Sequence, residues 1–280
     1  MDVLGRRLPR RDLAALSGGG ALAVMHRRDI TAALAALSLG AIHPALALSD
    51  PAPERPVRIA MLLYPGMTAL DVVGPQAILA GLSPGTLHLV AKAAGPVASD
   101  TGLSLLATAN LDACPRDLDV LFVPGGDGTP AQMRDPAIRA FLRDRAARAG
   151  WIASVCTGSL ILGAAGLLDG YRATSHWCVR NAVLPLLGAE PVAERVVFDR
   201  NCVTAAGVSA GLDLGLALAA RLRGADYART SQLVAEYAPR PPFRAGTPEE
   251  AGPEITRTAR KILETLSADS RAAALDLRRN

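Results

Sequence analysis

The chain has 280 residues, 50% of them hydrophobic and 20% charged, enough for one large domain or two small ones. Its formal net charge of +4 is concentrated at the front: residues 1–47 hold six Arg and three Asp, leaving 24 basic against 23 acidic residues elsewhere. A body so close to neutral carries no electrostatic footprint for nucleic acid, which excludes that class of partner.

The first 47 residues read as a secretory leader. Two arginine pairs, Arg10-Arg11 and Arg27-Arg28, precede a mildly apolar run from Ala32 to Ile42 and an A-x-A site at Ala45-Leu46-Ala47. Paired arginines before a weakly apolar core are the pattern of the twin-arginine route, so a periplasmic or secreted location is expected. The run is too short for stable membrane insertion. The competing reading is an Ala-rich extension of a cytoplasmic protein, with Met25 as an alternative start. Residues 48–56, rich in Pro and charge, read as a linker.

From residue 57 strands and helices alternate. Strand Val57–Leu63 and helix Leu70–Leu82 come first, then strands Leu87–Ala91 and Val120–Val123. Asp135-Pro136 opens a helix with Ile138, Phe141 and Leu142 on one face. Strand Trp151–Val155 runs into helix Gly158–Leu168, followed by strand Arg172–Ser175 and helix Val179–Leu187. Arg195–Asp199 and Cys202–Ala205 flank Arg200-Asn201 as a hairpin, and Ser209–Arg223 is a helix. Nearly continuous apolar strands between helices predict an α/β fold: a doubly wound, mostly parallel sheet flanked by helices. The folded domain spans 57–245, with a C-terminal tail and helix over 246–280 in which the last helix starts near Pro253. The arm Ala238-Pro239-Arg240-Pro241-Pro242-Phe243 is rigid and apolar, and is expected to pack on the domain or on a second subunit.

Cys156 occupies a turn between an apolar strand and a Gly-rich helix start, the layout of a nucleophile elbow. The turn pushes sulfur out of the sheet, and the helix N-terminus behind it is expected to favour thiolate. Upstream, Asp71 stands in the apolar run Leu70-Asp71-Val72-Val73, and Gly125-Gly126 forms a turn after a strand. Strand ends of one open sheet converge on one edge, so these three loops can meet. Asp71 is either a helix cap or a proton-exchange partner of Cys156, its pKa raised by burial and by the thiolate. Gly125 and Gly126 are either a plain turn or a pair of N–H donors for developing negative charge.

The other cysteines are Cys114, a loop thiol, and Cys178 and Cys202, read as structural thiols unless export oxidises them to a disulfide. Cysteines without a C-x-x-C pair, with only His88 and His176 beyond the leader, supply no metal site. His88 is expected to face outward from its strand. Gly207-Val208-Ser209-Ala210-Gly211 matches the serine-hydrolase elbow, but no histidine follows it, so Ser209 is expected to cap a helix and the glycines to allow close packing. Walker A and dinucleotide fingerprints are absent, and no cofactor is expected.

In combination, L-D-V-V-G-P, V-P-G-G-D-G, S-V-C-T-G-S, R-A-T-S-H-W and E-Y-A-P-R-P-P-F resemble the ThiJ/PfpI superfamily, and within it the isonitrile hydratases. The resemblance covers well over half of the chain. It implies the flavodoxin-like, class I glutamine amidotransferase-like fold, with Cys156 as nucleophile, Asp71 as acid/base partner and Thr157 as supporting hydroxyl. It also implies a homodimer and a cofactor-free hydration of an isocyanide to an N-substituted formamide. A glyoxalase- or deglycase-like activity using Cys156 with His176, and a ligand- or redox-sensing domain, are the alternatives. Thr157 stands where peptidase-type members carry His, which speaks against proteolysis. Ala205-Ala206 replace glycines of the family pattern and are expected to narrow the pocket.

Overall fold

The computed structural model describes residues 55–279; the leader, its arginine pairs, the A-x-A site and most of the linker lie outside the described residues. β1 (Val57–Leu62) leads into α1 (Ala69–Leu79), then β2 (Gly85–Ala91), a hairpin of β3 (Gly95–Ala98) and β4 (Ser104–Ala107), and the short β5 (Ala109–Asn110). Next come β6 (Val120–Val123), α2 (Thr129–Arg134), α3 (Pro136–Ala146), β7 (Trp151–Val155) and α4 (Gly158–Ala164). β8 (Arg172–Ala173), α5 (Trp177–Val183), a 3-10 turn at Leu184–Leu187 and β9 (Glu190–Pro191) precede β10 (Val196–Asp199) and β11 (Cys202–Ala205). Four helices finish the chain: α6 (Ala210–Arg223), α7 (Ala225–Val234), α8 (Pro248–Ile262) and α9 (Glu264–Arg279).

Seven strands form one sheet in the order β10-β11-β7-β6-β1-β2-β5. All neighbours pair in parallel except the β10–β11 hairpin. Every residue of β6 is buried, as a central parallel strand with helices on both faces requires. The crossing from β1 through α1 to β2 and then to β6 puts the C-terminal ends of β1, β6 and β7 side by side. That edge is where open α/β sheets build their sites.

Local chemistry sets the helix starts. Asp135 caps α3 as expected, its carboxylate accepting the N–H groups of Ala137 and Ile138 at 2.8 and 3.3 Å, with Pro136 at the first position. The β3–β4 hairpin went unread because its strands are four residues each and only one residue of each is buried, too little apolar pattern to register. Arg172–Ser175 keeps only two residues of strand, paired with β9 outside the main sheet, because Thr174 and Ser175 turn inward. A helical stretch does begin at Pro253, after the kink at Gly252, but it is not the last one, since α9 follows from Glu264. Thr247 starts α8 by accepting the Glu250 N–H, and Gly252 breaks it at φ 77°.

α9 is part of the core rather than a loose tail: Ser270, Ala273 and Ala274 are fully buried. The Pro arm does not pack on the domain; residues 238–246 are exposed, and Phe243 is 77% accessible. Cys178 and Cys202 are free thiols, as are Cys114 and Cys156. Cys114 lies in a loop as expected and is buried there, with its carbonyl held by Arg145 at 3.0 Å. His88 is half-buried in β2. Among the described residues no helix is long and apolar enough to cross a membrane.

Candidate active site

Cys156 follows the last residue of β7 at φ 58°, a left-handed conformation that a non-glycine residue adopts only when the surroundings enforce it. The enforcement is visible. Its N–H is shared between the carbonyls of Ala205 and Ala206 at 3.0 and 2.8 Å. Its carbonyl accepts the hydroxyls of Ser175 and Ser159 at 3.0 and 3.3 Å. Ala205 is buried in the core and Ala206 packs against it, so the two alanines act by holding this turn.

Asp71 lies in the first turn of α1 but is not its cap. Thr68 holds the cap position, and its own hydroxyl goes to Asp100 at 2.6 Å. The Asp71 carboxyl is fully buried and accepts the Gly125 N–H through Oδ2 at 2.8 Å. Oδ1 has no conventional hydrogen bond, and the Cys156 thiol is the side chain that reaches the carboxyl. Three loop ends, after β1, β6 and β7, therefore meet as expected.

Both N–H groups of the Gly-Gly turn, expected as donors to developing negative charge, have protein partners. Gly125 N–H is taken by Asp71 and Gly126 N–H by the Thr157 hydroxyl at 3.0 Å. The groups that face the sulfur are instead the backbone N–H of Thr157 and of Val208. Glycine is required for close approach: a Cβ on Gly125 would sit 2.4 Å from Thr157 N and 2.9 Å from Cys156 Cβ. Thr157 Oγ1 also shares a 2.7 Å hydrogen bond with Thr129, which in turn meets Tyr64 at 3.3 Å. Tyr64 donates to the Pro124 carbonyl at 2.8 Å, closing a buried hydroxyl chain behind the elbow.

Burial pushes the Asp71 carboxyl up to about 7; the Gly125 N–H opposes this, the nearby Asp100 charge adds to it, and the thiol opposes it again. Burial, then the Asp71 charge, push the Cys156 thiol well above its ordinary range, against the two facing N–H groups. The expected resting thiolate is thus not favoured: the helix start contributes, but burial and a neighbouring carboxyl outweigh it. Asp71 is raised by burial and Asp100, not by the thiolate. A carboxyl and a thiol that both resist ionisation in contact form a pair able to pass one proton.

His176 caps α5 through Nδ1, which accepts the Cys178 N–H at 3.4 Å and lies 3.0 Å from Cys178 Sγ. Burial lowers its pKa to about 4, with Arg180 adding to the effect, so it is neutral at physiological pH. Its ring sits against Gly207, where a Cβ would come 2.8 Å from Cδ2, so that glycine is there for packing as expected. Ser209 stands at the start of α6 without a capping bond; its hydroxyl receives Arg195 at 3.3 Å. Among the described residues no cluster of His, Cys, Asp or Glu could hold a metal ion.

Residues 57–221 match the DJ-1/PfpI family model. The chain belongs to the DJ-1/PfpI family. An isonitrile hydratase of Pseudomonas putida is 46% identical over 228 residues, covering 79% of this chain and 99% of that protein. The crystal structure of a ThiJ/PfpI family protein from Pseudomonas syringae superposes with a TM-score of 0.77 at 47% identity, covering 86% of this chain and 99% of that one. An HTH-type transcriptional regulator of Pseudomonas aeruginosa is 33% identical over 138 residues, 49% of this chain and 40% of its own length. The DJ-1/PfpI fold is therefore the flavodoxin-like parallel sheet described above.

Val208, Tyr64 and Thr129 are site residues that the sequence reading missed. Val208 lies inside the G-x-S-x-G pattern, where the serine drew attention and the backbone N–H beside it did not. Tyr64 directly follows β1, and strand-end position was the only available signal.

Proposed function

We propose that the protein is a cysteine-dependent hydratase of isocyanides. One observation carries the reading: the buried Asp71 carboxyl, itself raised to about 7, contacts a strained thiol that burial keeps protonated. The isonitrile hydratase that is 46% identical and covered over 99% of its length supports the same chemistry.

The cycle balances on one proton pair. Asp71 takes the Cys156 proton as sulfur attacks the terminal isocyanide carbon, then gives it to that carbon, leaving a thioimidate, R–N=CH–S–Cys156. Water adds hydroxide to the carbon and a proton to nitrogen. Collapse of the adduct expels sulfur, which regains the hydroxyl proton as R–NH–CHO leaves. Thr157 braces the turn, and its N–H and that of Val208 stabilise sulfur as it departs. Cys156 is only 5% exposed, and a linear isocyano group is slim enough to reach a recessed sulfur.

A glyoxalase-like reaction would need His176 as base, yet that imidazole is held by Cys178 and its pKa is about 4. Turnover of cyclohexyl isocyanide and of methylglyoxal separates the two. Formamide from the first, with no turnover of the second, is expected; the reverse would overturn the proposal. Selective peroxide oxidation of Cys156 with neither turnover would indicate a sensing domain.

Export by the twin-arginine route is proposed from Arg27-Arg28 and Ala45-Leu46-Ala47. A processed N-terminus near Leu48 in the native host is expected; full-length protein confined to the cytoplasm would reject it. A homodimer is proposed on the family likeness, and sedimentation of the full chain tests it.

A further inference from the structure

One segment grips Cys156 from both ends. The carbonyls of Ala205 and Ala206 hold its N–H, and two residues later the Val208 N–H faces its sulfur. What holds that segment is Arg195, just before β10. Its carbonyl accepts the Ala206 N–H at 2.9 Å. Its guanidinium donates to the Ser209 hydroxyl at 3.3 Å and pairs through Nε with Asp213 in the first turn of α6. Tyr237, just before the Pro arm, lies against both Arg195 and Asp213. The Arg195 and Asp213 side chains are 53% and 31% exposed, so an ion pair there adds little to global stability. The placement of Arg195 is the informative part: its backbone carbonyl meets the turn at Ala206, and its guanidinium, the side-chain half of the clamp, holds the turn at Ser209. These two positions bracket Gly207-Val208.

We infer that Arg195 is a positioning residue for the reactive thiol, clamping the Ala206–Ser209 turn so that the Val208 N–H stays on the Cys156 sulfur. The inference rests on Cys156 being the reactive group and not on the substrate it attacks. Asp71, Tyr64 and Cys178 are the titratable groups around the sulfur, and Arg195 contacts none of them among the bonds it makes. Loosening the clamp removes a donor from the thiolate and leaves the rest of the site in place.

The test is the pH dependence of Cys156 alkylation by iodoacetamide on the full chain, resolved by peptide mass from that of Cys178. Arg195→Met should slow Cys156 labelling at fixed pH by about three- to tenfold and move its midpoint upward, since loss of one hydrogen bond to a thiolate is worth up to about one pKa unit. Cys178 labelling should not change, and Arg195→Lys, which keeps the charge on Asp213, should recover part of the rate. Asp213→Asn should act in the same direction and serves if Arg195→Met does not fold. A folded Arg195→Met or Asp213→Asn protein with the wild-type Cys156 profile would overturn the inference. Faster labelling of both thiols would also overturn it, since general loosening would then be the effect.

Discussion

The Asp71 carboxyl holds the Gly125 N–H at 2.8 Å, joining the helix after β1 to the turn after β6. That bond lets the Gly-Gly turn orient the acid. The second oxygen of the carboxyl is left to the thiol.

Asp71→Asn should keep the Gly125 contact, because the amide oxygen still accepts, but cannot exchange a proton. General acid–base catalysis contributes about 10²–10⁴-fold, so a loss of at least about 10² in kcat with the fold intact is expected. The pH profile should change too. Sulfur must give its proton to a carboxylate, so activity should rise as pH increases through about 7 and fall where the thiol ionises. The rise near 7 should be missing in Asp71→Asn. Near-normal rates across that range would remove Asp71 from the chemistry.

The same carboxyl makes a stability prediction of definite sign. Its value of about 7 lies above the ordinary 3.8, so the native state binds more protons than the unfolded chain between those values. Its stabilising contribution is present below about pH 4 and is lost as pH rises through about 7. Asp71→Asn lacks this term and should melt higher than wild type at pH 8, with the difference closing toward pH 4. Thermal melts at the two pH values decide it; a lower melting temperature for Asp71→Asn at pH 8 would count against a buried, proton-retaining carboxyl.

Gly125→Ala should be severely destabilising. The added methyl meets backbone at 2.4 Å and Cys156 Cβ at 2.9 Å, and neither can retreat without opening the elbow. Loss of soluble protein, or of several degrees in melting temperature together with all turnover, is the expected result. An active, stable variant would show that the turn is looser than this packing implies.

Thr157→Val leaves the buried Gly126 N–H without its partner and takes one of two partners from the Thr129 hydroxyl, which keeps Tyr64. A buried unsatisfied polar group costs about 1–3 kcal/mol, so denaturant unfolding should register a loss of that order. Thr157→Ser should recover most of it. Equal stability of Thr157→Val and wild type would mean that the hydroxyl chain has no structural role.

The parallel sheet was readable because its strands are apolar throughout: Val120–Val123 and Trp151–Val155 matched residue for residue. So was the meeting of Asp71, Gly125 and Cys156, since position after a parallel strand fixes the edge on which a residue sits. The direction of the thiol's pKa was not. A helix start is visible in sequence, while the burial that outweighs it arises from side chains scattered over the whole fold. The roles of Gly125 and Gly126 were hidden for a similar reason, because which partner an N–H meets is decided by tertiary contact. Val208 acts through its backbone, and a side-chain pattern carries no sign of that.

Rapid acid quench during turnover of cyclohexyl isocyanide, followed by mass analysis of the Cys156 peptide, tests the central claim most directly. The account predicts a Cys156 adduct heavier by the mass of the isocyanide, formed and consumed as formamide appears, with both adduct and formamide absent in Cys156→Ala. Formamide produced at the wild-type rate by a folded Cys156→Ala protein would contradict it.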